Sequence, residues 1–417
     1  MEKLKYALAF GADAVYCGVP DFSLRARINR FTPQDLKEGV AHAHKLKKKV
    51  YATLNIYAHN RHLPDMKQHI LFLKKIGVDA VIASDPGVMM LVQKHWPEAE
   101  IHLSTQANAT NWPAVKFWQA AGIKRIILAR ELNLEEIKEI RKKVVGIQLE
   151  YFVHGAMCMS YSGRCILSKW MTDRSANLGD CSQPCRWSYK KVPIKKDGVF
   201  DKKDEKGIYK KMRVVDDQER FEMEVEEDQK GTYFFNSHDL NLIEHLGLLM
   251  EAGVDCVKIE GRAKSAYYLA IVTRAYRKVL DALENKLSKK EREKIIQTQK
   301  GELDNLTHRG YSTGFLLGNE PEHNFENRNN PASFQFVGEI LAKEGRLNVL
   351  RAHNQFFRED ILEAVTPEKN IPLKLIRLLD HNKKEVASAH GGHEKKYYLE
   401  FDSPLEALSL IRRKRKI

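Results

Sequence analysis

The feature that most limits the fold of this chain is a regular alternation, between residue 13 and about residue 265, of short β-branched runs and amphipathic helical segments. Eight of these runs have the length and composition of strands: DAVYCG (13–18), KVYATLNI (49–56), AVIASD (80–85), IHLSTQ (101–106), RIILAR (125–130), IQLEYFVHG (147–155), TYFFNS (232–237) and CVKIEG (256–261). Alternation of this kind predicts βαβ units and a parallel sheet. A count of eight favours an α/β fold of the closed (β/α) TIM-like barrel type over an open doubly wound sheet.

Two other regions depart from this rhythm. Within a barrel domain predicted for residues 1–300, the highly charged segment 190–230 predicts an exposed β-hairpin insertion, and a solvated flap is favoured there over a substrate grip. A linker is predicted at 301–330. Five short strand-like runs then predict a small all-β barrel domain over residues 331–417, ending in the basic run IRRKRKI. That run predicts a solvated tail, with contact to a phosphate backbone as the functional alternative.

The composition excludes some classes of protein. Apolar residues form 43% of the chain, which is enough for a sizeable core and argues against disorder. The longest apolar runs are only strand-sized, and the first residues lack the apolar core of a signal peptide. We therefore expect no membrane span and a cytoplasmic location. The net charge of +14 favours a polyanionic partner without identifying it.

Polar side chains follow most of the predicted strands, at the point where each strand ends. They are Asn55, Asp85, Ser104, Gln106, Arg130, Glu131, His154, Ser237, Asp239, Lys258, Glu260 and Arg262. In a barrel of this type the carboxyl ends of the strands converge on one mouth, where the active site is built. Helix N-capping is the simpler explanation for Asp85, Ser237 and Asp239.

Four of the six cysteines fall within one short region. Cys158, Cys165, Cys181 and Cys185 follow the spacing C-x6-C-x15-C-x3-C directly after a predicted strand. In a reducing compartment such clustering indicates a metal site or catalysis. Four thiolates suit an iron–sulfur cluster or a structural zinc ion; the lack of a C-x2-C pair favours the cluster and leaves zinc as the alternative. Cys17 and Cys256 lie in apolar strand patterns, where small buried hydrophobic residues are expected.

His154 lies at the end of a predicted strand, four residues before the first of these cysteines. Its position makes it the candidate for proton transfer or substrate contact. The competing interpretation is a histidine that only donates or accepts a hydrogen bond in the core.

From Glu150 to Ser168 the chain resembles the peptidase U-32 (collagenase-like) family. It matches the family signature E-x-F-x2-G-[SA]-[LIVM]-C-x4-G-x-C-x-[LIVM]-S. The stretches GADAVYCG, FSLRAR, STQANATN, LARE, NSHDL, VKIEGR and HRGYSTGFLLG are also similar, so the resemblance covers nearly the whole chain. Members of this family usually begin with a strand before the first helix, whereas this chain starts inside that helix. We therefore expect either a truncated start or one predicted strand that is not part of the barrel.

Within the family the sequence is most similar to members that hydroxylate tRNA. The resemblance implies formation of 5-hydroxyuridine at the wobble position, prephenate as the hydroxyl source, and a 4Fe–4S cluster on Cys158, Cys165, Cys181 and Cys185. A small dicarboxylate donor calls for cationic side chains that grip carboxylates. The candidates by sequence position are Arg25, Arg27, Arg164, Lys258 and Arg262. An electron-transfer partner is a further expectation, although the sequence does not identify one.

Two other functions remain open at this point. A peptidase needs an activated nucleophile or a metal-bound water, and the sequence has neither a G-x-S-x-G nor an H-E-x-x-H motif. Peptidase activity is therefore the weaker interpretation. The third is a non-catalytic RNA-binding protein, which the basic composition alone would allow.

Overall fold

The computed structural model describes most of the chain. The described residues are 1–19, 21–23, 31–158, 160–161, 164–165, 167–176, 180–187, 189–193, 195–196, 199–200, 211–216, 222–226, 238–285, 287–318, 332–392 and 396–415. The predicted strand TYFFNS (232–237) and the candidate residues Arg25 and Arg27 lie outside them.

The first two thirds of the chain form a mainly parallel sheet. Six strands lie side by side in chain order: β1 (Ala14–Cys17), β2 (Lys49–Leu54), β3 (Ala80–Ala83), β4 (Ile101–Leu103), β5 (Arg125–Ile127) and β6 (Gln148–Ala156). Three more of its strands follow later in the chain: β12 (Asp239–Asn241), β13 (Cys256–Ile259) and β14 (Tyr311–Ser312). Strand β13 is parallel to β6, whereas β12 is antiparallel to the end of β6 and parallel to β14. Seven of the eight predicted strands are thus present and mutually parallel.

The two outer parallel strands, β1 and β13, face the same cavity. Within the described residues no backbone pairing joins them, and a cavity of about 1,410 Å³ lies between them. The Tyr16 side chain reaches across, donating a hydrogen bond to the Glu260 carboxylate at 2.9 Å and approaching the Ile259 carbonyl oxygen at 3.3 Å. A parallel α/β sheet is therefore present, and its closure into a barrel stays a prediction.

Helices connect most of the parallel strands. They are α1 (Glu2–Ala9), α2 (Pro33–Lys45), α3 (Leu63–Ile76), α4 (Pro86–His95), α5 (Trp112–Ala120), α6 (Leu134–Lys143), α7 (Leu167–Thr172), α8 (Leu246–Glu251), α9 (Ala266–Glu284) and α10 (Lys289–Asp304). Asp85 caps α4 by accepting the Val88 N–H at 2.9 Å, so the capping interpretation is right for this residue. Helices α9 and α10 are separate, because Ser288 and Glu291 form a capping box that starts α10.

The charged segment 190–230 contains short antiparallel strands. They are β7 (Tyr189–Pro193), β8 (Lys195–Lys196), β9 (Val199–Phe200), β10 (Lys211–Asp216) and β11 (Glu222–Glu226). Strand β10 pairs with β7 and β11, and β8 pairs with β9. The remaining residues of this segment lie outside the described ranges, so its role as a flap stays a prediction.

The last part of the chain forms a separate, curled antiparallel sheet with its own core. Its strands are β15 (Phe334–Glu344), β16 (Leu347–Ala352), β18 (Leu362–Val365), β19 (Asn370–Leu373), β20 (Leu375–Leu379), β22 (Lys396–Phe401) and β23 (Leu410–Lys414), with a two-stranded pair β17 (Phe356–Phe357) and β21 (Ser388–Ala389) beside it. Strand β23 lies between β15 and β18. The prediction of a solvated basic tail is wrong for the start of the run, since Arg412 is only 1% exposed, whereas Lys414 and Arg415 are exposed.

Buried ion pairs hold this sheet against the helices of the first domain. Arg412 binds Glu302 of α10 through two contacts of 3.0 Å, and Arg274 of α9 donates to the Thr366 carbonyl at 2.7 Å. Tyr6 of α1 donates to Glu339 of β15 at 2.7 Å. Part of the predicted linker also has a structural role, because β14 belongs to the first sheet. Among the described residues, no helix combines the length and apolar character needed to cross a membrane.

Candidate active site at the end of strand β6

Strand β6 carries His154 and leads directly into the first cysteine of the loop. Near its end the backbone turns at Gly155, whose φ is +110°, and a Cβ there would lie 2.5 Å from the Glu260 carbonyl oxygen. Only glycine fits such a conformation and such a close approach. The β6 backbone at Gly155 is thereby packed tightly against Glu260, in the segment that follows β13.

The four clustered cysteines all lie on the loop after β6. Each side chain is a thiol and partly exposed, and within the described residues none is in a disulfide. No three of their sulfurs lie within 4.8 Å of one another. A single zinc ion needs four such donors at its corners, so the residue types of this loop also suit zinc. An iron–sulfur cubane is a larger body held by four thiolates, and this donor set fits it.

Hydrogen bonds tie the two halves of the cysteine loop together. Ser182, next to Cys181, donates its N–H to the Ser168 hydroxyl at 2.9 Å, and its own hydroxyl lies 2.8 Å from that of Thr172. Ser168 and Thr172 belong to α7, which begins two residues after Cys165. The Trp187 indole donates to the Ser182 carbonyl at 3.2 Å. The late cysteines are therefore held near the early ones by bonds that do not involve sulfur.

His154 is enclosed by aromatic rings rather than open to solvent. It is 1% exposed, its Nδ1 lies 3.2 Å from the Tyr276 hydroxyl, and the rings of Tyr268, Tyr276 and Tyr311 lie within 6 Å of its own. Burial lowers the pKa of His154 to about 3, although the nearby Asp239 carboxylate opposes this shift. The imidazole is thus neutral near pH 7, and a role in proton transfer stays a prediction.

A buried group of opposite charges lies beside the same strand end. Asp239 of β12 pairs with Ala156 of β6, and Cys158 follows Ala156 by two residues along the chain. Its carboxylate is 2.6 Å from Arg309 and 3.9 Å from Lys264. We call Asp239, Lys264 and Arg309 the Asp239 ion triplet.

Sequence reasoning missed Lys264 and Arg309, because neither directly follows a predicted strand or lies within the cysteine loop. They lie within or beside the stretches VKIEGR and HRGYSTGFLLG that carry the family resemblance, and Asp239 belongs to NSHDL. Their position in or beside these stretches was the sequence signal that could have identified them.

Two of the predicted substrate-binding residues lie elsewhere, at the cavity between β1 and β13. Lys258 is 2.6 Å from Glu150, which also binds Arg125 at 3.1 Å. Burial alone would raise the pKa of Glu150, but the charges of Lys258 and Arg125 outweigh it and hold that pKa below its ordinary value. Arg262 lies 3.3 Å from Glu260, and the Tyr16 ring contacts both cations. The four loop cysteines are not among the described residues that line this cavity.

Arg164, within the cysteine loop, reaches the ends of other strands. It donates to the Gln106 carbonyl at 2.9 Å, and the Gln106 side chain accepts from Asn55 at 2.9 Å. Arg130, after β5, donates to the Ala156 carbonyl at 2.9 Å. Several of the polar residues that follow strands therefore contact one another or the cysteine loop, as expected for parallel strands that end at one edge.

Both domains of the chain match known family models. Residues 1–326 match Peptidase family U32, and residues 332–412 match the Peptidase family U32 C-terminal domain. The domain with the cysteine loop and the C-terminal β-domain therefore match two models of the same family. The chain belongs to peptidase family U32.

Three relatives describe its position within that family. The tRNA hydroxylation protein P of Haemophilus influenzae is 39% identical over 426 residues, which cover 94% of this chain and 90% of the relative. The tRNA hydroxylation protein P of Escherichia coli is 41% identical over 396 residues, covering 90% and 86%. The 23S rRNA 5-hydroxycytidine C2501 synthase of Escherichia coli is 37% identical over 277 residues, covering 66% and 37%.

Proposed function

We propose that this enzyme hydroxylates tRNA, forming 5-hydroxyuridine at the wobble position. The observation that carries the proposal is the loop of four thiols at the end of β6, in a chain that is similar over most of its length to proteins named for tRNA hydroxylation. The relative named for rRNA hydroxycytidine synthesis supports the broader reaction class, which is hydroxylation of RNA bases.

In this proposal Cys158, Cys165, Cys181 and Cys185 hold a 4Fe–4S cluster. When bound, such a cluster supplies one-electron chemistry and a Lewis-acidic iron beside the substrate. The chain itself contributes the serine and threonine bonds that hold the loop, and the close packing of Gly155 against Glu260 three residues before the first cysteine. Zinc is the alternative metal, and an electron-transfer partner remains part of the hypothesis.

The hydroxyl source in the proposal is prephenate, a small dicarboxylate. The net exchange moves a hydroxyl group from the donor to C5 of uridine and a hydrogen from C5 to the donor. Atoms and electrons balance in this exchange without another oxidant. Arg164, which lies between Cys158 and Cys181 and donates to the Gln106 carbonyl at 2.9 Å, is the candidate for binding one of the donor's carboxylates.

Binding of tRNA would rest on charge and stacking. The net charge of +14 favours a polyanion. Taking one base out of its stack costs a few kcal/mol, and less in an anticodon loop that is partly single-stranded. Tyr161 in the cysteine loop is 56% exposed, so its ring is accessible to a base. We further propose that the parallel sheet is a TIM-like barrel with this mouth toward the RNA, and that the enzyme works in the cytoplasm, where tRNA is decoded.

Replacing one loop cysteine tests the function. Cys181→Ala is expected to abolish 5-hydroxyuridine in tRNA from a deletion strain that carries the variant, as measured by mass spectrometry of nucleosides. Cys17→Ala is the matched control, because Cys17 lies in β1, outside the loop, and this variant is expected to retain modification. The wild-type protein, purified without oxygen, is expected to contain about four iron and four sulfide per chain. Full modification by the Cys181 variant, or one zinc in a colourless protein, would contradict the proposal.

The two other functions have separate tests. A peptidase would cut denatured collagen, with His154→Ala as the control, but the low pKa and deep burial of His154 make it a poor general base for that reaction. A non-catalytic RNA-binding protein would bind tRNA with no dependence on any added donor and would leave the tRNA unmodified.

A further inference from the structure

We propose that Ser84 and Gln106 form the binding site for the uracil ring of the substrate nucleotide, with the Gln106 side-chain amide donating a hydrogen bond to O4 of that ring. This assignment rests on the proposed function, because uracil is the base that the proposed reaction modifies. It gives the base a place at the ends of β2, β3 and β4, beside the loop that carries the four cysteines.

The strands β2, β3 and β4 end at the same level of the sheet. Leu54 of β2 and Leu103 of β4 both pair with Ala83 of β3. Side chains alternate between the two faces of a sheet, so the residue that follows each of these three points to the opposite face. Those following residues are all polar, namely Asn55, Ser84 and Ser104. By the same alternation they share the face of Tyr51, which lines the cavity between β1 and β13.

A hydrogen bond between two side chains crosses this edge of the sheet. Asn55, after β2, donates to the Gln106 Oε1 atom at 2.9 Å, and Gln106 lies in the turn Thr105–Ala107 that follows β4. Because β3 lies between β2 and β4, this bond spans the end of β3, where Ser84 is located. The bond also fixes the orientation of the Gln106 amide, since its oxygen faces Asn55 and its nitrogen is left on the other side.

Two buried polar atoms at this edge have no hydrogen-bond partner among the residues that the structure describes. They are the Ser84 hydroxyl oxygen and the Gln106 Nε2 atom. Gln106 is only 4% exposed, so its amide nitrogen is largely removed from bulk water. Buried polar groups in native proteins are nearly always paired, and a pair of orphans at the ends of parallel strands indicates a ligand that satisfies them.

The chemistry of the two groups suits an uncharged ring with a carbonyl oxygen. A side-chain amide nitrogen can only donate hydrogen bonds, whereas a hydroxyl can donate or accept. Uracil offers the carbonyl oxygen O4 to the amide nitrogen. Cytosine carries an amino group in place of O4, so it would set one donor against another. A site that leaves a buried donor without its acceptor discriminates against the wrong ligand, and we therefore expect Gln106 to select uracil over cytosine.

The rim of this site joins it to the cysteine loop. The Arg164 Nε atom donates to the Gln106 carbonyl at 2.9 Å, and Cys165 is the next residue of the chain. Tyr57 is partly exposed; burial raises its pKa and the Arg164 charge opposes that rise, so the two side chains lie within electrostatic reach of each other. An accessible aromatic ring suits the stacking of a base that has left its own stack. C5 of uracil is bonded to the carbon that carries O4, so a base held by Gln106 has its reacting carbon beside the anchored edge.

Binding of anticodon stem-loop RNA to the full chain, purified with its metal and without oxygen, tests this assignment. Two labelled stem-loops differ only in uridine or cytidine at the wobble position, and fluorescence anisotropy measures each Kd. The wild type is expected to bind the uridine form about tenfold more tightly, and Gln106→Met to lose this preference because it lacks the donor. Gln93→Met is the matched control, because the Gln93 amide donates to the Ala121 carbonyl between α4 and α5; it is expected to keep the preference.

Two further variants separate recognition of the base from a loss of folding. Gln106→Glu keeps an oxygen for Asn55 and replaces the free donor by an acceptor, so the preference is expected to shift toward cytidine. Ser84→Ala is expected to weaken both stem-loops alike, by about threefold, because a hydroxyl can bond to either ring. Unchanged affinity in Ser84→Ala would remove that residue from the site.

Three results would overturn the assignment of the base. They are equal affinity of the wild type for the two stem-loops, a wild-type preference in Gln106→Met, and a Gln106→Met variant whose only defect is about tenfold weaker binding of prephenate. The last result would give this amide to the donor instead.

Analysis of tRNA nucleosides is a separate measurement. A wild type that forms 5-hydroxyuridine while Gln106→Met keeps the uridine preference refutes this site and leaves the proposed function intact. A uridine preference that depends on Gln106, in a protein that forms no 5-hydroxyuridine, refutes the proposed function and leaves the uracil site in place.

Discussion

At the scale of single residues, burial decides what the ionisable groups near the cysteine loop do. His154 is a candidate from the sequence because it lies at the end of a predicted strand, and it does lie near the end of β6. Its surroundings of three tyrosines come from α9 and β14, more than a hundred residues away, and no local pattern reveals them. The imidazole is therefore neutral near pH 7, which the sequence alone did not predict.

The depressed pKa of His154 has a measurable effect on stability. An unfolded histidine titrates near pH 6.5, whereas His154 in the folded protein takes up its proton only near pH 3. As the pH falls below 6.5 the unfolded state binds the proton first, so the free energy of unfolding decreases. The variant His154→Gln has no titrating group here, so it lacks this contribution to the pH dependence of the unfolding free energy.

Between pH 7 and pH 5 the wild type is expected to lose about 2 kcal/mol more of its unfolding free energy than His154→Gln does. Urea unfolding at a series of pH values measures this difference. Parallel curves for the two proteins would show that His154 is accessible to protons in the folded state.

At the scale of elements, local sequence patterns predict where strands lie but not which distant residues pack against them. Seven strands lie where β-branched runs stand in the sequence, because buried parallel strands are continuous apolar runs. Other features are not visible in local patterns. Strand β23 has the basic composition of a solvated tail, yet Arg412 and Arg413 are accommodated in it because they form ion pairs with Glu302, Glu363 and Asp360. The same limitation concealed the Asp239 ion triplet, whose members meet through the pairing of β12 with β6.

The cysteine loop depends on hydrogen bonds that can be removed without touching sulfur. Ser182→Ala removes the hydroxyl that contacts Ser168 and Thr172, at a cost of about 1 kcal/mol in loop stability. Under the proposed iron–sulfur assignment, we expect iron to leave this variant several-fold faster in the presence of a chelator, as followed by visible absorbance.

Ser175→Ala is the control for that experiment. Ser175 lies in the same loop and accepts the Asp180 N–H through its backbone, which the substitution retains. Equal rates of iron loss in Ser182→Ala and the wild type would show that the loop is held by other contacts.

At the scale of the whole molecule, the two domains form one body joined by buried charges. Arg412 lies against Glu302 and Glu363, and the pKa of Glu302 is below its ordinary value because Arg412 and Arg274 outweigh the effect of its burial. Removing one partner of such a group leaves the other charges buried without compensation.

Arg412→Met is expected to destabilise the docking of the domains by about 3–5 kcal/mol. Limited proteolysis measures this effect, and we expect faster cleavage between the domains than in the wild type. Arg415→Met is the control, because the Arg415 side chain is exposed and only its backbone N–H bonds to Ser333. Cleavage of Arg412→Met at the wild-type rate would show that apolar contacts alone hold the domains together.

The hydrogen bond between Tyr6 and Glu339 also limits how early helix α1 can reach its final packing during synthesis. These residues are 333 positions apart in the chain. A ribosome that adds about 5–20 residues per second needs from about 17 to 67 s to make the second after the first. Throughout that interval helix α1 lacks one of its permanent neighbours. The earliest part of the polypeptide to be made is thus among the last to acquire its final surroundings, and chaperones have the longest opportunity to act on it.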